Sequence, residues 1–263
     1  MEALPGHLLE RTRHLNSIAE PDGSGPVVVW LKSSFRLHEN PAIDVGKHFA
    51  AKHNLPLLIY HAIDERYPHA SLRHHNMLLD AAVDMDQGCR KAGLRYVLHI
   101  AREGHRPSVM KSFGQSASCI ITDMFPLPPW TDWVNTIAKN AACPVYDIDC
   151  HCVIPMPLFG KSVDRPYKFR DATKKMRKKR LQATWPATDL QPEAYSGPLP
   201  FEPINVVEDI KNLNKRFELL RTCSIDPSVL PVWHERGGEQ AALSKWQQFY
   251  LSLIHISEPT RPY

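Results

Sequence analysis

Five short apolar runs, each separated from the next by a helix-like stretch, constrain the fold of this chain more than any other feature. The runs are 27–31, 56–63, 95–100, 118–122 and 144–149. Their residues are apolar at successive positions rather than alternately, which is typical of strands in a parallel sheet covered by helices on both faces. The sequence therefore predicts an α/β fold with a doubly wound, five-stranded parallel sheet.

The segments between these runs carry the start signals and the periodicity of helices. Asn40 is predicted to cap a helix that begins at Pro41, because Asn accepts hydrogen bonds from the first turn and Pro needs no amide donor there. A long amphipathic helix is predicted over about 71–92, and shorter helices near 107–115 and 130–140. Strands and helices are therefore expected to alternate throughout the domain.

Polar residues follow the predicted strands at the carboxyl edge of the sheet, where open α/β sheets bind their ligands. The segments after the strands are 32–34, 64–66, 102–104 and 123–125, and each of them begins with a charged residue. The sequence has neither G-x-G-x-x-G after its first strand nor G-x-x-x-x-G-K-[ST] anywhere, so the usual dinucleotide and P-loop phosphate sites are not indicated. The fold thus indicates where a ligand binds, but not which ligand.

The six cysteines favour a reduced, intracellular protein over one held by disulfides. Cys150, His151 and Cys152 suggest a metal site, but no second ligand pair at zinc-like spacing follows, so no metal is predicted. The sequence also lacks a long apolar run and a basic N-terminus followed by an apolar block. The expected location is therefore the cytoplasm or nucleus, or an organelle, with neither secretion nor a membrane span.

Positive charge is concentrated in one segment of the chain. Residues 161–180 hold ten Lys or Arg and two Asp, a local charge of +8 in a chain whose total is +4. Two interpretations of this segment stay open: sequence-independent binding to the phosphate backbone of DNA, or a solvated helix face or nuclear-import patch. The residues predicted for DNA binding are Lys174, Lys175, Arg177, Lys178, Lys179 and Arg180.

The composition changes after the fifth predicted strand. Residues 157–234 are rich in proline and charge, and are predicted to form a long linker with one or two helical pieces, including 205–221. An amphipathic helix is predicted to follow over 235–250, with three aromatic residues among its last five. Because such a face is rarely left in water, this helix is expected to pack against a partner.

Five separated segments resemble the DNA photolyase and cryptochrome family, with details closest to the class II photolyases. The segments are VVVWLKSSFRLHENPAI (27–43), ASLRHHNMLLDAA (70–82), CIITDMFPLPPWTDWV (119–134), CPVYDIDCHCVIPM (143–156) and GGEQAALSKWQQF (237–249). They stand in the order that this family has. The resemblance covers about Val27 to Phe249.

The resemblance implies how the chain is divided. The segments are an N-terminal extension (1–25), a Rossmann-like antenna domain (26–156), a basic, proline-rich linker between domains (157–234) and the first helix of a helical FAD-binding domain (235–250). Residues 251–263 resemble the translation of a sequencing adapter and are expected to be a non-native tail. The FAD-binding domain is therefore expected to be truncated after its first helix.

The function implied by the resemblance is light-dependent repair of cyclobutane pyrimidine dimers in damaged DNA by a monomeric flavoprotein. Repair uses electron transfer from reduced FAD to a flipped-out dimer. The residues that bind FAD and carry out catalysis are expected to be absent from this chain, which is then inactive by itself. Two alternatives stay open: a cryptochrome-type blue-light receptor, and a stand-alone α/β nucleotide-binding or interaction protein.

Arg36 and Asp123 are the cofactor-side residues that the resemblance implies, near an antenna chromophore of unknown identity. Each has a structural alternative. Arg36 can hold the first loop through a salt bridge, and Asp123 can cap the helix that follows it. No catalytic residue and no metal ligand is predicted.

Overall fold

A six-stranded, mostly parallel sheet forms the centre of the computed structural model, which describes residues 4–254 apart from Glu20, Asp22 and Ser24. The order of the strands is β1–β6–β5–β2–β3–β4, and only the β1–β6 pair is antiparallel among the described strands. Of the predicted non-native tail, 255–263 lies outside the described residues. The strands are β1 (Thr12–His14), β2 (Val27–Leu31), β3 (Leu57–Asp64), β4 (Arg95–Ala101), β5 (Cys119–Asp123) and β6 (Val145–Ile148).

Helices connect these strands and continue beyond them. They are α1 (Gly6–Leu9), α2 (Pro41–His53), α3 (Leu72–Lys91), α4 (Val109–Ser116), α5 (Trp130–Asn140), α6 (Met156–Phe159), α7 (Pro166–Leu181), α8 (Leu213–Arg221) and α9 (Glu239–Ile254). A π-helical turn, Val206–Ile210, precedes α8. None of the described helices is both long and apolar enough to cross a membrane.

The predicted doubly wound sheet is confirmed, because the five expected strands are β2 to β6 and all lie parallel to their neighbours in that set. Helices α2 and α3 share one buried cluster with Val29 and Ile59 of the sheet. Helices α4 and α5 share the other cluster with Val28 and Leu58. Successive residues of one strand thus enter opposite cores, which explains why the strands are continuously apolar.

The predicted number of five strands is one too few. Strand β1 comes from the N-terminal extension and pairs antiparallel with β6, with Thr12 opposite Ile148 and His14 opposite Tyr146. Three residues are too few to produce a recognisable alternation of apolar and polar positions, so sequence periodicity gives no signal for this strand. The extension therefore forms one edge of the sheet.

The predicted cap of α2 is confirmed. The Asn40 side chain accepts hydrogen bonds from the Ala42 amide at 3.0 Å and the Ile43 amide at 3.4 Å, and Pro41 is the first helical residue. Helix α3 also begins as predicted, because the Ser71 hydroxyl accepts from the His74 amide at 3.2 Å. Side-chain caps therefore fix the starts of both helices on the same side of the sheet.

The segment between 157 and 234 runs along the sheet instead of standing away from it. Leu57, the first residue of β3, donates to the Glu193 carbonyl at 2.8 Å and accepts from the Tyr195 amide at 3.0 Å. Further along, the Ile204 amide donates to Leu98 of β4 at 2.9 Å. The predicted helical piece at 205–221 is two pieces, because Asn212 caps α8 and separates it from the π-helical turn.

Candidate functional site

A cavity of about 550 Å³ lies above the carboxyl ends of β2, β3 and β4. Trp30, Tyr60 and His99 contribute to its wall from these three strands, and the first turns of α4 and α5 close its sides. Small-molecule sites in proteins have volumes of roughly 300–1,000 Å³. The cavity therefore has the size of a ligand site, at the edge of the sheet where the sequence predicts one.

Aromatic rings dominate one side of the cavity. The Trp130 ring lies 5.2 Å from Tyr67 and 6.1 Å from Trp133, measured between ring centroids. Phe125 supports Trp130 from outside the cavity at 4.8 Å. These separations are those of favourable aromatic pairs, so the rings hold one another in position. Their faces form a surface on which a flat ring system can pack.

Charged side chains stand at the strand ends beside these rings. Asp64 accepts two hydrogen bonds from the Arg66 guanidinium, at 2.9 and 2.6 Å. Burial alone would raise the pKa of the Asp64 carboxyl, but the hydrogen bonds and charge of Arg66 bring it below its ordinary value. Lys32 also lines the cavity, with its ammonium 4.8 Å from the centroid of Trp30. The cavity thus combines apolar walls with a few fixed polar groups, as ligand sites commonly do.

Asp123, the last residue of β5, holds the loop that follows β2. Its carboxylate accepts from the backbone amides of Lys32, Ser33 and Ser34 at 2.9, 2.7 and 2.6 Å, and from the Lys32 ammonium at 3.2 Å. Burial would raise the pKa of Asp123, but the Lys32 charge and these donors hold it below the ordinary value. The carboxylate therefore fixes a loop instead of capping α5, whose N-cap position is Pro129.

Arg36 holds the same loop from its other end. Its guanidinium donates to the Ser34 hydroxyl and to the Cys150 carbonyl, each at 2.7 Å. Arg36 thus holds the loop through hydrogen bonds to these neutral groups, whereas the structural alternative predicts a salt bridge. Neither Arg36 nor Asp123 is among the described residues that line the cavity. A chromophore contact by either residue stays a prediction.

The Cys150–His151–Cys152 stretch lies beside this loop. The Ser33 hydroxyl and the His151 Nε2 atom are 3.0 Å apart, and Cys150 is buried. Burial raises the pKa of the Cys150 thiol to about 12, so it is protonated at neutral pH. Among the residues that the structure describes, no group of three His, Cys, Asp or Glu side chains is placed to hold a metal ion.

The start of α9 is tied to the same loop. The Glu239 carboxylate accepts from the amides of Leu37 and His38 at 3.0 and 2.8 Å. On the adjacent helix α3, Asp84 accepts from the Gln240 amide at 2.8 Å. Position 238 must be glycine here, because its φ of +95° is left-handed and a Cβ would meet the Asp84 carboxylate at 2.5 Å. The G-G-E segment therefore attaches α9 to the α/β domain.

The predicted DNA-binding residues all lie on α7 but do not share one environment. Lys174, Lys175, Lys178 and Lys179 are exposed. Arg177 and Arg180 are half-buried, and the Arg180 guanidinium forms an ion pair with Glu10. The basic run is therefore divided into four exposed lysines and two half-buried arginines, of which Arg180 contacts Glu10.

Sequence reasoning located the cavity but missed its aromatic side chains. Lys32, Asp64 and Arg66 belong to the polar groups predicted at the strand ends, and all three line the cavity. Trp130 and Trp133 are not among the predicted site residues, although a spacing of three places both on one side of a helix. Their spacing was a usable signal, whereas their proximity to β3 depends on the tertiary fold.

A family model described as DNA photolyase matches residues 27–193, which is more than half of the chain. This range contains every strand from β2 to β6, the cavity, and helix α7. The match therefore includes both the ligand-sized site and the basic helix.

Two curated proteins are similar to this chain. The deoxyribodipyrimidine photo-lyase of Methanothermobacter thermautotrophicus is 28% identical over 148 residues, which are 56% of this chain and 32% of that protein. The deoxyribodipyrimidine photo-lyase of Potorous tridactylus is 26% identical over 138 residues, 51% of this chain and 25% of that protein. The chain thus spans about a third and a quarter of the lengths of these relatives.

One solved structure with a similar fold is the archaeal photolyase from Sulfolobus tokodaii, which is described with two FAD molecules. The TM-score is 0.53 at 13% sequence identity, and the alignment covers 82% of this chain and 45% of the other. At this sequence identity the likeness supports a similar fold, but it does not indicate which ligands this chain binds.

Proposed function

Because this chain belongs to the DNA photolyase family, we propose that it forms the α/β part of a light-dependent deoxyribodipyrimidine photolyase, and that its cavity holds an antenna chromophore. Both curated relatives are deoxyribodipyrimidine photo-lyases, which favours repair over a signalling role as a cryptochrome. Since the chain spans only about a third or a quarter of their lengths, the repair activity is proposed for the whole protein.

In that whole protein, a bound and reduced FAD would supply the electron for splitting the cyclobutane ring of a pyrimidine dimer in DNA. The protein positions the cofactor and receives the dimer after it has left the base stack. The matched region of the relatives accounts for a minor part of their length, so we propose that residues outside it bind the FAD. The chain is accordingly proposed to be inactive by itself.

The observation that carries the antenna proposal is the aromatic cavity within the residues that the family model matches. Its volume of about 550 Å³ suits a flat heteroaromatic molecule, and Trp130, Trp133 and Tyr67 offer ring faces for packing. Arg66, whose side chain is largely exposed, supplies a cationic donor for a polar edge of such a molecule. When bound, the chromophore absorbs light; the residues named here bind and orient it and exclude water from its faces.

A titration of the purified chain tests this proposal. FAD, FMN and a 5-deazaflavin are added separately, and binding is followed by fluorescence anisotropy of the ligand. We expect at least one of them to bind, and we expect W130A/W133A to weaken that binding at least tenfold, because base-sized rings gain roughly 1–3 kcal/mol from stacking on one aromatic side chain.

The matched control is Trp246→Ala, because Trp246 is exposed on α9 and away from the cavity wall. The control should bind the chromophore as the unchanged chain does. Equal affinity of the W130A/W133A variant and the control, or no binding of any of the three compounds, contradicts the antenna proposal.

A repair assay tests the proposed inactivity of the chain. The chain is mixed with ultraviolet-irradiated DNA and reduced FAD, and dimers are counted before and after illumination. We expect the count to stay the same. Light-dependent loss of dimers would show that these residues already form a catalytic flavin site.

A further inference from the structure

We propose that α7 is a separate, sequence-independent binding site for the phosphate backbone of duplex DNA, and that its exposed lysines make the contact. This inference goes beyond the chromophore proposal, because it requires neither light, nor flavin, nor a damaged base. It assigns a ligand class to a surface outside the cavity.

The four lysines form one continuous cationic surface. Lys174, Lys175, Lys178 and Lys179 are separated by one, three and one positions, which places them on one side of the helix. All four are exposed. The stretch from 174 to 179 covers about 7.5 Å of helix axis. A duplex presents one phosphate per about 3.4 Å on each strand, so this surface faces several phosphates at once.

The other side of α7 faces the protein. Among the sixteen described residues of α7, Thr173 alone is buried. Arg177 and Arg180 are half-buried, and Arg180 contacts Glu10. Arg180 therefore contacts the rest of the molecule, whereas the lysine side is left to solvent.

Internal stability does not account for the lysines. Lys174 and Lys178, and also Lys175 and Lys179, are like charges four residues apart, which is unfavourable in a helix. The helix dipole favours cations in the last turn, and this explains Lys178 and Lys179 but not the preceding pair. The repulsion between these lysines is relieved when an anion neutralises their charge. This charge pattern therefore fits a polyanionic ligand.

DNA phosphates fit α7 better than an anionic membrane does. A helix that lies in a membrane surface needs a free apolar face opposite its cations. In α7 the side opposite the lysines holds the buried Thr173 and the Arg180 that pairs with Glu10. Of the described residues on that side, the exposed large apolar ones are only Phe169 and Met176, each about two-fifths exposed, which is too little for such a face. The lysines also have no aromatic residues between them that could stack on bases, so the contact is expected to ignore sequence. The four lysines of α7 are therefore expected to recognise only the charge and the spacing of the phosphates.

The test uses the full chain, kept in the dark, and an undamaged, fluorescein-labelled duplex whose affinity is measured by anisotropy. Salt is varied from about 50 to about 200 mM. The unchanged chain should lose about a hundredfold in affinity over this range if four phosphates are neutralised. The variant K174Q/K175Q/K178Q/K179Q should bind at least tenfold more weakly at low salt, and the slope of log affinity against log salt should become shallower by about 3 to 4.

The matched control is K91Q/K139Q/K211Q/K215Q. These lysines are also exposed but lie on or next to other helices, and the change in net charge is the same. The control should retain most of the affinity and the steep salt dependence. The double variants K174Q/K178Q and K175Q/K179Q should each reduce the slope by about 2, which supplies a second readout if the quadruple variant folds poorly.

Three outcomes overturn the proposal: an unchanged slope in the α7 variants, an equal loss of affinity in the control, or binding to phosphatidylserine vesicles without binding to the duplex. Because the duplex is undamaged and the flavin is absent, a negative result here leaves the chromophore titration unaffected. Failure of the titration likewise leaves this proposal standing.

Discussion

The loop after β2 and helix α7 both contain charged residues, but the charges of the loop are buried and those of the helix are mostly exposed. Lys32 and Asp123 have side chains that are 3% and 0% exposed, and they are bonded to each other and to backbone amides. The lysines of α7 are exposed. Charge that is buried and paired holds the loop that borders the cavity, and its removal must cost stability. The exposed lysines of α7 do nothing comparable for the fold and are free to contact a ligand.

The largest effect is expected from Asp123→Asn. The substitution removes the carboxylate that compensates the buried Lys32 ammonium and leaves that charge unpaired. Breaking one partner of a buried pair costs about 3–5 kcal/mol of unfolding free energy. Urea unfolding should detect this loss. Asp171→Asn is the control, because Asp171 is exposed on α7. A loss below about 1 kcal/mol for Asp123→Asn, within the range of an exposed pair, would remove the distinction between the two regions.

Acid should destabilise the chain through buried histidines next to the sheet. Burial lowers the pKa of His61 to about 3 and that of His75 to about 4. In the unfolded chain both have a pKa of about 6.5, so below that pH the unfolded state binds more protons than the folded state. Stability is therefore full at neutral pH and is lost as the pH falls from about 6.5 toward 4.

Between pH 7 and pH 5 the two histidines together should cost about 3–4 kcal/mol of unfolding free energy. Urea unfolding at a series of pH values measures this slope. The lysine variant of α7 should give the same slope, since it changes no buried titratable group. A flat profile over this pH range would mean that the histidines are not held neutral by burial.

A smaller effect is expected from Glu239→Gln, which tests how α9 is attached. The carboxylate accepts from the Leu37 and His38 amides, and the neutral amide of Gln keeps one acceptor oxygen. We expect a loss of about 1 kcal/mol and faster hydrogen exchange at the amides of residues 37 and 38. Glu218→Gln on α8 is the exposed control. Unchanged exchange at these two amides would contradict the contact.

The smallest effect on stability is expected from the four-lysine variant of α7. The lysines are exposed, and their removal also relieves repulsion between like charges. The unfolding free energy should therefore change by less than about 0.5 kcal/mol, or rise slightly. Thermal unfolding followed by circular dichroism measures the change. A loss above about 1 kcal/mol would indicate that the lysines have a structural role that the exposed surface does not reveal.

The sequence predicted the parts of the fold that depend on local pattern. Strands β2 to β6 follow from apolar runs, and the starts of α2 and α3 follow from Asn40 and Ser71. Strand β1 could not be predicted, because three residues carry no period and their pairing with β6 lies more than a hundred residues away. Local signals thus determine the elements, whereas pairing over long distances completes the sheet.

The site was predictable only in part for the same reason. The carboxyl edge of the sheet and the residues Lys32, Asp64 and Arg66 followed from the strand order. The role of Asp123 did not, because its partners lie about ninety residues earlier in the chain. The basic run predicted six equivalent cations, whereas the structure separates two arginines from four lysines through the contact of Arg180 with Glu10.

The buried charges of the loop after β2 and the exposed lysines of α7 are proposed to have different roles. The most direct test of this contrast uses the four-lysine variant, K174Q/K175Q/K178Q/K179Q, on which two quantities are measured. These are its unfolding free energy and its affinity for an undamaged duplex in the dark, each compared with the unchanged chain. We predict that the unfolding free energy stays within about 0.5 kcal/mol while the affinity falls at least tenfold and loses most of its salt dependence. Unchanged affinity, or a loss of affinity that only accompanies a loss of stability, would contradict the account.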